Sequence, residues 1–439
     1  MNPKAERQIR AGTWRRHMIR TSVPVLLVVM STASSFDALA QFAYRTALSP
    51  TNSLAIVRQP PPVTWREGRL SQLPTYDAKA RWSFQVDLRG ADVSGLELSN
   101  RLADVLHADF DDRTVWPTNL PAGFNPKRFM ELGRNPGLQV RELHRRGITG
   151  KGVGIGIIDQ ALLVNHVEYR DRLRLYEEIH CADEGGASMH GAAVASIAVG
   201  QTVGVAPAAD LYFIAETHGE TSGSRTFEWD FTWVAKSIER LLEINRTLPA
   251  DRKIRVFSIS VGWSPGQKGC EESNAAVEKA RKENVFVIST SLENTYQRAF
   301  HGLGRQPLKD PDVASNYEPG SWWREQFFGR YESFRATERL MVPMDSRCVA
   351  SPTDPRHYVF YADGGWSWSV PYLAGLYTLA CQVKPTVTPE EFWAAGLRTG
   401  KSITVERDGK RYEFGKIADP IALIVALTNH MANPNLENR

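Results

Sequence analysis

Three segments of this chain carry a serine, a histidine and a carboxylate in settings where they could work as one unit. Gly365-Trp366-Ser367-Trp368-Ser369-Val370-Pro371-Tyr372-Leu373-Ala374-Gly375 puts a serine at the entrance of a small-residue helix with a proline in its first turn. Gly154-Ile155-Gly156-Ile157-Ile158-Asp159 ends an apolar strand on a carboxylate, and His190-Gly191-Ala192-Ala193-Val194-Ala195-Ser196 opens another small-residue helix. A hydroxyl is a poor nucleophile near neutral pH. Acyl transfer therefore needs an imidazole to take its proton and a buried carboxylate to hold that imidazole in the right tautomer.

The chain order is Asp, His, Ser, which among the known versions of this arrangement is that of subtilisin rather than chymotrypsin. The flanking residues agree. With "GVGIGIID" before Asp159, "HGAAVASIAVG" from His190, "GVAPAADLYFI" after it and "GWSWSVPYLAG" around Ser367, the chain resembles the subtilisin-like serine peptidase (subtilase) family from about residue 136 onward. The resemblance implies Ser367 as nucleophile, His190 as general base and Asp159 as its orienting carboxylate. Ser369 is the rival nucleophile, but the family's proline stands four residues after its serine, which selects Ser367 over Ser369. His166, in "VNHVEY", matches a non-catalytic histidine of the family.

The resemblance also implies an oxyanion donor just after the strand that here reads Val285-Phe286-Val287-Ile288-Ser289-Thr290-Ser291-Leu292-Glu293-Asn294. Asn294 is preferred over Glu293, because a carboxylate would repel the developing charge. The backbone N–H of Ser367 is the second expected donor. "FSISVGW" resembles the family's substrate edge, where an extended peptide adds as a strand. Ser260, Val261 and Gly262 are the expected substrate-binding residues, with Trp263 replacing a small residue and narrowing the pocket. Trp322-Trp323 with Phe327-Phe328 form an aromatic cluster that serves either as a pocket wall or as packed core.

At 439 residues and 42% apolar content, the chain can bury one large core and carry an extension. Its net charge of +4 resides wholly in residues 1–40, where Lys4, Arg7, Arg10, Arg15, Arg16 and Arg20 face only Glu6 and Asp37. The formally neutral remainder argues against a general nucleic-acid or anionic-membrane binder. Those basic residues precede the apolar run 23–30 and then Ala38-Leu39-Ala40, the layout of a signal peptide over residues 1–40. The run is well short of the roughly 20 residues a spanning helix needs. A secreted or periplasmic protein without stable membrane insertion is expected.

Cys181, Cys270, Cys348 and Cys381 allow three disulfide pairings, or sit in the core as thiols. No CxxC or HExxH spacing occurs, so no metal site is read from the sequence. No cofactor is required by the chemistry. The resemblance allows stabilising calcium, with no ligands that can be named, and implies a monomer acting on protein or peptide substrates.

Strand signals at 153–159, 210–215, 255–261 and 284–289 alternate with helix signals at 190–200, 231–245, 271–283 and 369–383. Such alternation predicts an α/β fold, a mainly parallel sheet with helices on both faces, with its site at the carboxyl ends of the strands. Residues 136–430 form the expected peptidase domain. Residues 41–135 form an N-terminal extension or pro-segment, opening with the Pro-rich "QPPPVTW" and followed by a loose rhythm of apolar and small residues over 86–117. Gln160-Ala161, Ala192-Ala193, Trp366 and Trp368 depart from the family's usual residues. They keep open a second reading, a weakly active or inactive subtilase-like protein that binds peptides or regulates another peptidase.

Overall fold

A computed structural model of the chain describes residues 44–432, apart from 51–52, 66–67, 79, 81–83, 183–184 and 222–225. The leader expected over residues 1–40 lies outside the described residues. Among the described residues no helix is long and apolar enough to cross a membrane.

The protein is α/β. Its main sheet has six strands in the spatial order Tyr44–Ala47, Leu173–Ala182, Asp210–Ala215, Gly154–Asp159, Ile254–Ile259 and Phe286–Ser289. All neighbours run parallel except the first pair. Gly154–Asp159, Asp210–Ala215 and Phe286–Ser289 are buried at every residue, which is why they read as continuous apolar runs instead of alternating ones. Two helix pairs cover the sheet, Thr232–Thr247 with Cys270–Lys282 and Met189–Val199 with Trp366–Val383.

Local sequence explains these helices. In Thr232–Thr247 the apolar stripe Val234, Ile238, Leu241 and Leu242 is buried, and the one polar residue in it, Asn245, bonds both backbone groups of Ile254 at 2.8 and 3.1 Å. That amide ties the end of a helix to the start of the strand leading to Ser260. Met189–Val199 is buried from Gly191 onward, and its alanines let it lie close to its neighbours. The strand Leu173–Ala182 had no apolar signature, because its interior carries Glu177 and Glu178. Each is buried and paired, Glu177 with Arg240 and Glu178 with Arg45 and Arg58.

The helix carrying Ser367 starts at Trp366, three residues before the expected boundary, with Gly365 as an extended N-cap. Pro371 lies inside it, where its missing N–H leaves the carbonyl of Ser367 without a helical donor.

A second sheet of five strands, including Ala299–Arg305, Arg339–Pro343 and Lys410–Ile417, packs the aromatic cluster. Trp323 and Phe327 are buried there against Phe334 and Phe414. A four-stranded sheet joins Arg347–Ala350, Tyr358–Tyr361, Ala108–Asp111 and Val86–Asp87. The apolar rhythm of 86–117 is the inner face of this unit: Val86, Leu88, Ala91, Val93, Leu98, Val105, Ala108 and Phe110 are all buried in one cluster.

The four cysteines are separate buried thiols, so none of the three pairings is formed. Burial pushes the thiols of Cys348 and Cys381 up to about 12.

Candidate active site

Asp159 closes its strand at the carboxyl edge of the sheet and is 1% exposed. His190 is the second residue of the helix Met189–Val199, and its Nδ1 lies 2.7 Å from Asp159 Oδ1. Several contacts fix this pair. The Gln160 N–H donates to the same Oδ1 at 2.8 Å. The Ser188 hydroxyl caps the helix by accepting the His190 N–H at 3.1 Å, and donates to Gln160 Oε1 at 2.5 Å. Gly191 permits the approach, since a Cβ there would stand 2.3 Å from the Gln160 carbonyl. Gln160, which replaces the family's small residue, thus holds both the carboxylate and the histidine helix. With the carboxylate facing Nδ1, that nitrogen carries the proton and Nε2 is left to accept one.

Ser367 lies in the first turn of Trp366–Val383, and its N–H is among those the helix ladder cannot satisfy. These groups form the positive end of an eighteen-residue helix dipole. Trp368 connects it to the histidine, with ring centroids 5.6 Å apart. The Ser367 hydroxyl donates to the Ser260 carbonyl at 3.2 Å, and among the described residues no hydrogen bond joins it to His190. Ser369 differs in kind: its hydroxyl is fully buried with no partner among the described residues.

The expected substrate edge is adjacent. Ser260 Oγ donates to the Ser367 carbonyl at 3.0 Å, and the Val261 carbonyl accepts from the Thr290 N–H at 3.2 Å. Gly262 faces the Thr290 hydroxyl, which a Cβ would meet at 2.3 Å. Trp263 does not narrow this edge. It is turned into the core, 2% exposed, with Nε1 donating to Asn274 Oδ1 at 2.8 Å. Spacing shows that a tryptophan is present but not which way it turns.

Asn294 is exposed on the short helix Leu292–Tyr296, beside the exposed Glu293, and no hydrogen bond to its side chain occurs among the described residues. Thr290 and Ser291, directly after the preceding strand, are the polar side chains that approach Gly262. Their signal in the sequence was their position directly after the apolar run. His166 is buried with Nε2 against the His357 carbonyl at 2.9 Å, and among the described residues no carboxylate bonds it.

The aromatic cluster divides. Trp323 is core, whereas Trp322 is 44% exposed and lies 4.9 Å, centroid to centroid, from Trp366 next to Ser367. His301, 5.1 Å from the Trp366 ring, is pushed down to about 4 by burial and by Arg339, so it is neutral near pH 7. Both rings pack against Trp366, the residue before Ser367.

The groups that could do chemistry therefore gather at the carboxyl ends of the parallel strands. A groove of about 530 Å³ lined by Asn245, Lys253, Ile254 and Asn284 lies at the amino ends and plays no part in them. Among the described residues no three His, Cys, Asp or Glu side chains converge to hold an ion.

The solved structure of the prenylagaramide maturation protease PagA is similar at 16% identity, covering 66% of this chain and 99% of that one, with a TM-score of 0.46. Residues 150–324, which hold Asp159, His190 and the 260–262 edge, match the Peptidase_S8 family model. On that match residues 150–324 are similar to the subtilase family.

Proposed function

We propose that the protein is a secreted serine endopeptidase that hydrolyses protein or peptide substrates through an Asp159–His190–Ser367 triad and an acyl-enzyme intermediate. The observation that carries this reading is the 2.7 Å hydrogen bond between the buried Asp159 and the half-buried His190, with the Ser367 helix joined to it through Trp368. On this reading the Ser367 hydroxyl leaves the Ser260 carbonyl and hydrogen-bonds the histidine Nε2. His190 then takes the proton as Ser367 attacks the carbonyl, and returns it to the leaving amine. The Ser367 N–H and the helix dipole favour the negative charge of the tetrahedral intermediate, with Asn294 the side-chain donor implied by resemblance. Ser260, Val261 and Gly262 receive the substrate backbone.

The Ser367–Ser260 hydrogen bond favours a second reading, a subtilase-like protein that binds peptides without cleaving them. Labelling of the purified protein with a fluorophosphonate, in wild type, Ser367→Ala and Ser369→Ala, separates the two. The endopeptidase reading requires labelling lost only in Ser367→Ala. A folded wild type that takes no label supports the binding reading instead.

A further inference from the structure

The described part of the extension reaches the candidate active site through a short series of contacts. Its strand Ala108–Asp111 pairs antiparallel with Tyr358–Tyr361, the last strand before the Ser367 turn. From that strand Asp109, 1% exposed, accepts the Ala362 N–H at 2.9 Å. Two residues on, Asp345 accepts the Gly364 N–H at 2.8 Å. The turn from Tyr361 to Gly365 is thus held by two buried carboxylates, one of them supplied by the extension.

Side chains make a parallel connection. Arg89 is gripped by Asp87 at 2.7 and 2.8 Å, stacks on Trp65 with its guanidinium 4.5 Å from the ring, and donates to the Tyr361 hydroxyl at 3.0 Å. The buried Tyr361 ring meets Trp368 edge to face at 5.6 Å, and Trp368 meets His190 at 5.6 Å. Packed aromatic rings of this kind have little free volume, so displacement of one is passed to the next.

Removal of the extension would leave several buried groups uncovered. Phe360 and Ala362 would lose the apolar cluster they share with Leu88, Phe110 and Phe129, and Tyr358–Tyr361 would become an open sheet edge. In the main sheet Glu178 would lose Arg45 and Arg58, leaving a carboxylate that is now fully buried without either cation.

We propose that the extension is a permanent part of the working protein, and that Arg89 and Asp109 are positioning residues for His190 and the Ser367 turn. The kinetic part rests on the peptidase reading above; the structural part does not. Neither residue touches the reacting atoms. Each acts through Tyr361, Trp368 or the backbone of the turn.

The test uses the full chain with Arg89→Leu, Arg89→Lys, Tyr361→Phe and Arg128→Leu, the last being an exposed arginine of the extension as control. The first readout is the ring signals of carbon-labelled histidine in NMR, with the His190 signal identified by its loss in His190→Ala. Displacement of that signal in Arg89→Leu and Tyr361→Phe but not in Arg128→Leu is expected, and an unmoved signal in a folded Arg89→Leu overturns the proposal whether or not the protein is a peptidase. Where wild type labels with fluorophosphonate, Arg89→Leu should lower kcat by about ten- to a hundred-fold with KM little changed, as small misplacements do. Arg89→Lys should recover part of the loss. Equal kcat in wild type and Arg89→Leu, or denaturing mass spectrometry showing that the active species lacks residues 68–135, overturns it while leaving the peptidase reading intact.

Discussion

Ser260 and Ser367 exchange hydrogen bonds, each hydroxyl donating to the other's carbonyl, at 3.0 Å from Ser260 and 3.2 Å from Ser367. The first bond answers a need created four residues downstream. Pro371 has no N–H, so the Ser367 carbonyl has no partner in its own helix, and the Ser260 hydroxyl takes the vacant role. Ser260→Ala should therefore cost about 1 kcal/mol, the net contribution of a typical intramolecular hydrogen bond to a half-buried acceptor. In a Pro371→Ala background, where residue 371 regains its N–H, the same change should cost clearly less. Equal costs in the two backgrounds, measured by denaturant unfolding, would show that the two residues do not serve one carbonyl.

Asp159→Asn tests whether the carboxylate sets the histidine tautomer. An amide can present its NH2 to Nδ1, which would move the imidazole proton to Nε2 and leave no base for Ser367. The loss in kcat/KM expected for the wrong tautomer is about ten-thousand-fold. Measured on a peptide substrate or as the rate of fluorophosphonate labelling, a loss below tenfold would remove Asp159 from the mechanism.

Legibility in the sequence followed the physics of each feature. The parallel strands were readable because burial on both faces demands unbroken apolar runs, and Gly154–Asp159 and Asp210–Ala215 satisfy that demand. Leu173–Ala182 escaped, because Glu177 and Glu178 are neutralised by arginines from distant segments and leave no apolar trace. The segments around Asp159, His190 and Ser367 stood out because chemistry restricts residue type and close helix packing restricts the neighbours. The direction of Trp263 and the exposure of Asn294 depend on tertiary contacts that no local pattern encodes. Nor does any local pattern reveal that Ala108–Asp111 pairs with Tyr358–Tyr361, since the partner strand lies about 250 residues further on.

The cysteines give a direct check on the packing. All four are buried thiols, and burial raises each of them above the ordinary thiol range. Thiolate is the reactive form, so the native protein should react very slowly with a disulfide reagent such as DTNB near pH 8. Four thiols should appear at once in denaturant without reductant. Two or none under those conditions would mean that a disulfide forms, and that the strands and helices bearing Cys181, Cys270, Cys348 and Cys381 pack differently.

A second histidine–carboxylate pair, Glu216 with His218, sits directly after the strand Asp210–Ala215, where the Glu216 N–H donates to the Asp159 carbonyl at 2.8 Å. Burial acts to lower the His218 pKa, but the charge of Glu216 and its hydrogen bond outweigh burial, and the net shift is upward. A histidine held protonated in the folded state adds stability that is complete below its unfolded value of about 6.5 and fades as pH rises through the higher folded value. Asp345, pushed up to about 7 by burial and by Asp363, also makes stability fall as pH rises, so the wild-type profile alone does not isolate the histidine. The difference between wild type and His218→Gln does. That difference in unfolding free energy should be largest at or below pH 6.5 and shrink steadily toward pH 9. A difference that stays constant over this interval, or grows with pH, would mean that His218 is not held as a cation beside Glu216.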